Sequence, residues 1–431
     1  MIWWMSSSSQ QRMIWISMVV VKYVKLNLEN LNLKEENPNV NPNLKEENLK
    51  LVVEEDKLNI NNNSFLYFNT NMNSDYCIID PRPLEAFKDK TFSDFKKRDV
   101  INKLFKCIEE GKIEESCYWI TECICSGYSI ELFEKLVILS SKIVHINSPN
   151  LPQYLWRRYQ TFISSYDHIG KKERDQLIHL RNTQSVRNVY FDLIVTISSS
   201  LKTQRLDKYP KVNENDFQYG NIQNKLKATM QVLPSHIIRF TDPEELKIVM
   251  NEFLFHLKNK NGGYQDASYW VAWLIQWEKI NKKKKVKFEI ECRDIDSVDP
   301  KYCKDPIWLL WEIIFYESNE RDENIKLQIQ SLYRFFRNNY TCGKRSARLP
   351  LLYHAIGYLS LPVKFNIPIR KDQNIFIQTQ CNVNLMFKAK KNNEVKNYIP
   401  PPEKVKKPKG AEQEIALSKF NSLLDVDELT R

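Results

Sequence analysis

The sequence predicts an all-α protein: two tandem, diverged five-helix repeats form a helical core, with a disordered N-terminal leader and an irregular C-terminal region. Three observations lead there. A Tyr-Trp pair recurs in matching surroundings, as Glu114-Glu115-Ser116-Cys117-Tyr118-Trp119-Ile120 and as Gln265-Asp266-Ala267-Ser268-Tyr269-Trp270-Val271, and similar segments flank both copies in the same order. Only 9 of the 431 residues are glycine, far below the usual ~7%, which argues against folds rich in tight hairpins or glycine phosphate loops. Apolar residues make up 42% of the chain and recur at helical spacing, so the chain is long and apolar enough to bury a core without disulfides.

Residues 1–75 read as a disordered or spurious leader. Met13 to Val24 is apolar, but too short for a bilayer, which takes ~20 residues, so no transmembrane span is expected. Arg12 precedes it as in a weak signal segment, yet no small-residue cleavage site follows. The motif Asn32-Leu33-Lys34-Glu35-Glu36-Asn37 then recurs as Asn43-Leu44-Lys45-Glu46-Glu47-Asn48. Such a composition buries too little apolar surface to offset chain entropy. Met72 stands as an alternative start.

The first repeat is assigned to residues 76–210. Asp80-Pro81-Arg82-Pro83 reads as an extended lead-in. Phe92-Ser93-Asp94 offers a cap for a helix carrying Val100, Ile101, Leu104, Phe105 and Ile108. The Tyr118-Trp119 helix follows. A third helix starts near Ser129 with Leu132, Phe133, Leu136, Val137 and Val144 as its core face. A fourth carries Leu155-Trp156-Arg157-Arg158-Tyr159, and a fifth runs from about Arg187 to Leu201.

The second repeat is assigned to residues 236–362. Thr241 or Asp242 is expected to cap its first helix, with Pro243 near the first turn. Leu246, Val249, Met250, Phe253, Leu254 and Leu257 form the stripe. The Tyr269-Trp270 helix adds Trp273 and Trp277. A third helix, Pro306 to Glu317, holds Trp311-Glu312-Ile313-Ile314. The fourth carries Leu332-Tyr333-Arg334-Phe335-Phe336, echoing Leu155 to Tyr159, and the fifth runs from about Leu349 to Leu361. Amphipathic helices of this kind bury their stripes within one copy or across an interface between copies.

Residues 363–431 form the irregular region. Phe365 to Ile369 and Asn374 to Gln378 look extended, with period-two alternation in places. Residues 397–411 read as a proline-rich basic linker, and a short helix near Glu412 to Leu424 reads as an interaction segment.

Lysine and arginine total 64 against 53 acidic residues, a formal net charge of +11. A positive balance favours anionic partners, DNA or RNA among them, while its other reading is solubility. Lys282, Lys283, Lys284, Lys285 and Lys287 form the densest basic run, read as a phosphate grip or as a solvated interhelical loop. Arg334, Arg337, Lys344, Arg345 and Arg348 form a second cluster, interleaved with Phe335, Phe336 and Tyr340. Guanidiniums beside aromatics suit phosphate contact with base stacking, but Phe335 and Phe336 fall on the core stripe.

No motif for chemistry assembles in the sequence. Cys342-Gly343-Lys344-Arg345-Ser346 lacks the earlier glycine of a phosphate loop, since Asn338 stands there. The six histidines make no HExxH or His/Asp ligand set. The nine cysteines make no CxxC, and their apolar flanks read as free structural thiols in a reducing compartment. Glu115 and Glu122 share a helical face, as an acid/base pair would, but a solvated face is the plainer reading. Trp270, Trp273 and Trp277 are at a spacing that serves a ligand platform or a core. No metal, cofactor or catalytic residue is expected.

Asp80-Pro81-Arg82-Pro83, the run Glu110 to Trp119, Cys125-Ser126-Gly127 and His145-Ile146-Asn147-Ser148-Pro149-Asn150-Leu151-Pro152 together resemble an uncharacterised protein family of nucleocytoplasmic large DNA viruses, the giant viruses. Ser268-Tyr269-Trp270 and Asp305-Pro306-Ile307-Trp308 resemble its second half, and the resemblance covers roughly residues 76–362. The family has no assigned activity, so no catalytic residue carries over. The resemblance implies a viral setting: host cytoplasm or viral factory, or the virion. Two functions are expected to compete. One is a non-enzymatic scaffold or adaptor with a protein partner; the other is a nucleic-acid-binding accessory factor for replication, transcription or packaging.

Overall fold

The computed structural model describes residues 74–167, 173–203, 210–260, 262–370 and 372–399. The chain divides into two units, Met1–Glu394 and Val395–Arg431; of the second, only residues 395–399 are described, and they are not helical. The expectations for Met13 to Val24, for the short tandem duplication and for a helix near Glu412 lie outside the described residues.

Among the described residues the fold is all-helical, and no strand forms; a single antiparallel bridge joins Lys90 to Lys96. The helices are α1 Lys97–Glu109, α2 Ile113–Cys125, α3 Ser129–Ile143, α4 Leu151–Asp167, α5 Glu173–Asn182, α6 Gln184–Ser199, α7 Tyr219–Gln223, α8 Glu245–Lys258, α9 Gly263–Lys283, α10 Ile307–Ser318, α11 Glu323–Arg337, α12 Cys342–Ser360, α13 Gln373–Cys381 and α14 Val383–Lys391.

The expected stripes are the core. Val100, Leu104 and Ile108 of α1, Leu132, Phe133 and Leu136 of α3, and Leu246, Met250 and Phe253 of α8 are all buried. α1 packs on α2, and α2 on α6; in the second set α8 packs on α9, and α9 on α12. α4 packs on α6 as α11 does on α12. The sets differ too. α5 has no counterpart in the second, and α8 packs directly on α10. They join where α4 packs on α11 and α3 on α12.

The Tyr-Trp pairs adopt one local geometry. Tyr118 meets Trp119 edge to face at 5.0 Å, and Tyr269 meets Trp270 likewise at 5.2 Å. Both tryptophans are buried and both tyrosines half-buried. Each tyrosine carries a lysine over its ring: Lys390 at 3.6 Å on Tyr118, Lys225 at 5.4 Å on Tyr269.

Several expectations are corrected. Ser93 and Asp94 do not cap α1, which starts at Lys97; the Ser93 amide and hydroxyl instead donate to the Glu122 carboxylate at 2.6 and 2.7 Å. Asp242 does not cap α8; it accepts from Arg293 at 2.8 and 3.1 Å, a stronger claim on a carboxylate than a helix end makes. Asn374 to Gln378 are not extended. Asp372 accepts from the amides of Asn374 and Ile375 at 2.8 and 3.2 Å, and this cap starts α13. Cys342 to Ser346 form the first turn of α12. Finally, the nine cysteines are not all free: Cys292 and Cys303 form a disulfide, while the other seven are free.

From Val363 the chain crosses back over the first set. The Asn150 amide donates to the Phe365 carbonyl at 3.2 Å, Arg370 reaches Asp192, and Arg187 donates to Asn384 at 2.9 Å while lying 3.8 Å from the Phe387 ring centre. Lys390 then enters the core beside Glu122 at 2.5 Å, with both groups withdrawn from water.

Candidate functional site

An open cleft of about 630 Å³ lies where the two helix sets meet. Its floor is aromatic. Phe133 of α3 and Phe335 of α11 stack at 6.5 Å, and Tyr159 of α4 presents an edge to both at 5.1 and 5.6 Å. Asn338, one residue past α11, fixes Tyr159 by donating to its hydroxyl at 2.9 Å. The helix registers explain this convergence: Phe133 and Phe335 sit on the apolar stripes of their helices, and the α4–α11 contact carries those stripes to one place.

The lip is aliphatic. Leu84, in the turn Leu84–Phe87, keeps 44% of its surface exposed, and Ile130, in the first turn of α3, keeps 48%. Gly127, at φ +78°, lets the Leu84 turn come close, because a Cβ there would lie 2.7 Å from a Leu84 methyl.

The rim is charged. Lys97 pairs with Glu131 at 2.8 Å and covers the Tyr128 ring at 4.3 Å; Glu131 also takes Lys135 at 2.6 Å. Burial would raise the Glu131 carboxyl, but these two lysines outweigh it and hold the group below its usual range. Glu134 accepts from Arg348 at 2.7 Å. Lys88, Glu85 and Lys344 complete the rim, and Lys344 donates to the Asn339 carbonyl at 3.1 Å. The arrangement suits seating an apolar group under charged neighbours, since both carboxylates nearest the floor are already ion-paired.

The structure separates the residues expected to bind nucleic acid. Lys282 and Lys283 end α9, Lys284 caps it, Lys285 turns at φ +59°, and Lys287 follows; all five are exposed. Lys283 lies 3.7 Å from Glu214 and Lys287 3.1 Å from Glu289. The second cluster is broken up. Arg348 is fully buried, donating to Glu134 and to the Phe336 carbonyl, and Arg345 bridges Glu278 at 2.5 Å and Asp305 at 2.6 Å. These two are corrected from surface ligands to internal ties: Arg345 is held between Glu278 and the buried Asp305, and Arg348, itself fully buried, is held by the half-buried Glu134. Arg337 pairs with Asp296 at 2.9 Å, Arg334 covers Trp156 at 5.6 Å and stays exposed, and Lys344 joins the cleft rim. Phe335 and Phe336 are core.

The other expected groups also serve the interior. Trp270 and Trp273 are buried, and Phe217 stacks on Trp277 at 5.3 Å, covering the aromatic row. Glu115 lies 3.5 Å from Lys103, apart from the buried Glu122. His145 and His354 stack at 4.5 Å in the core, and His354 Nδ1 meets Ser141 Oγ at 3.1 Å. Burial holds His145 down to about 4 and His354 well below its ordinary range. Buried thiols are pushed up, Cys107 and Cys125 to about 12, which makes them poor nucleophiles.

Sequence reasoning missed the lip. Its signal was present: Ile130 is a large aliphatic off the Leu132-Phe133-Leu136-Val137 stripe, and Leu84 sits in a proline-rich lead-in with no periodic partner. Among the described residues no group of His, Cys, Asp and Glu is placed to hold a metal ion, and no helix is long and apolar enough to cross a membrane. No protein-family model, curated protein or solved structure matches this chain.

Proposed function

We propose that the chain is a non-enzymatic helical scaffold or adaptor of a large DNA virus, acting through protein–protein contacts in the host cytoplasm or viral factory, or in the virion. The cleft carries this reading. Helices of both sets build its floor, and its lip leaves Leu84 and Ile130 in water. Exposed aliphatics beside an aromatic floor and a charged rim are the chemistry of a docking surface, with anchor positions at the centre and polar groups outside. The reading includes an internal duplication, supported by the shared Tyr-Trp geometry and the parallel helix pairings. The test is a photo-crosslinking residue at position 130 in infected cells, with position 248 on α8, also exposed, as the control. One dominant protein adduct from position 130 alone is expected. No adduct, or the same adducts from both positions, overturns the reading.

A second reading, an accessory factor that binds nucleic acid, is favoured by the exposed run Lys282 to Lys285 at the end of α9. It requires binding to single- or double-stranded DNA or RNA that weakens steeply with salt. Changing Lys282–Lys285 to glutamine must then weaken it further and flatten the salt dependence.

A further inference from the structure

We infer that the cleft takes a short segment of a partner protein carrying a large apolar anchor beside acidic residues, an inference that rests on the docking reading above. Two observations choose this occupant. The first is the aliphatic lip. A phosphate-bearing ligand would meet hydrocarbon at Leu84 and Ile130, whereas a leucine or aromatic side chain packs against both, over a floor whose phenylalanines are already buried. The second is the residual charge. Glu131 is shared by Lys97 and Lys135, and Glu134 is held by Arg348. Lys88 and Lys344 have no carboxylate partner among the described residues, and Glu85 is the single rim carboxylate with no cation. Two free cations facing one free carboxylate select a segment with acidic flanks, and repel a basic one.

The test selects peptides from a displayed random library against the full chain. Ile130→Glu serves for counter-selection; its site is half-exposed, so it leaves the fold intact. The enriched sequences are expected to share a leucine or aromatic anchor flanked by Asp or Glu. A synthetic copy should bind Ile130→Glu, and separately Lys88→Glu/Lys344→Glu, about tenfold or more weakly. Basic or patternless sequences, no enrichment, or equal binding to the lip variant overturn the inference. So does a single-stranded oligonucleotide that binds at the cleft and is lost with Ile130→Glu, or a dimer of the chain that the same change dissociates. A position-130 protein adduct together with basic selected peptides would leave the adaptor reading standing and remove this one. Loss of the adduct as well would remove both.

Discussion

The Lys390 ammonium and the Glu122 carboxylate lie 2.5 Å apart with both side chains almost wholly buried. Burial would raise the Glu122 carboxyl, but the Lys390 charge and the hydrogen bonds to Lys390 and Ser93 outweigh it and hold it low. Such a pair is costly to break from one side. Lys390→Met leaves a buried, uncompensated carboxylate, and a loss of about 3–5 kcal/mol is expected in urea unfolding. Pairing it with Glu122→Gln should recover much of that loss, since no charge is left inside; a double variant as unstable as the single would show that packing of α14, not charge, sets the energy. The stacked His145 and His354 weaken the fold in acid in the same direction as a carboxylate held low, but at higher pH. Their neighbours are Ser141, Tyr358 and the Tyr353 carbonyl, 3.4 Å from His145 Nε2, with Tyr264 edge-on to His145 at 5.7 Å, and none carries a formal negative charge. The folded His145 is held at about 4 against an ordinary 6.5, so between those values the unfolded chain binds the extra proton. Stability therefore falls as pH drops through that window, by about 3 kcal/mol from this residue alone. A His145→Gln/His354→Gln variant, though weaker at neutral pH, should lose less between pH 6.5 and 4; an unchanged slope would show that these rings do not govern the acid limb.

At the scale of elements, the segment between α9 and α10 is held by chemistry rather than by regular structure. Cys292 and Cys303 close a short loop, and the buried Arg293 anchors it to Asp242 and Glu312, each at 2.8 Å. A loop of that length restricts the unfolded chain enough that reduction is expected to lower stability by about 2–3 kcal/mol. Alkylation of the unfolded, unreduced protein should label seven cysteines and leave this pair unlabelled, with all nine labelled after reduction; nine labels without reductant would show the pair to be open. What could be read in the sequence follows from whether a signal is local. The stripes of α1, α3, α8 and α11 were legible because burial imposes a period that the chain itself displays. α13 reads as extended in sequence because Ile375-Phe376-Ile377 is a short β-branched and aromatic run; the deciding fact is the cap at Asp372, two residues before Asn374, and the helix buries no residue fully, so it prints no helical period. The disulfide escaped because its thiols stand eleven positions apart along mostly irregular chain, with no periodic pattern to bring them together. The cleft was half legible: Phe133 and Phe335 read as core, Tyr159 only as part of a helix, and the meeting of all three depends on how α4 crosses α11.

At the scale of the whole helical unit, the question is whether the two helix sets fold together. Their junction contains more than the aromatic floor. Arg348 of α12 holds Glu134 of α3, His354 meets Ser141, the Tyr358 hydroxyl donates to the Pro149 carbonyl at 2.6 Å, and Gln328 of α11 accepts from the Gln153 amide at 2.9 Å. These ties are buried or half-buried, so separating the sets would strand polar groups as well as expose aromatic surface, each at a free-energy cost. The strap from Val363 adds to the same effect, because it leaves the second set and closes on the first through Arg370, Arg187 and Lys390. The sets are therefore expected to unfold in one transition, although each has its own stripes and its own Tyr-Trp pair. Phe335→Ala tests this at the seam, where the ring touches Phe133, Trp156 and Tyr159. It should cost about 3–5 kcal/mol and shift the whole transition as one. Two site-specific probes, a fluorophore at the exposed Cys342 of α12 in a Cys381→Ser background and one at the exposed Cys381 of α13, which packs on α6 of the first set, in a Cys342→Ser background, should report the same midpoint with and without Phe335→Ala. Midpoints that separate in the wild-type protein would make the sets independent folding units; midpoints that coincide in wild type and separate only in Phe335→Ala would assign the coupling to the aromatic floor itself.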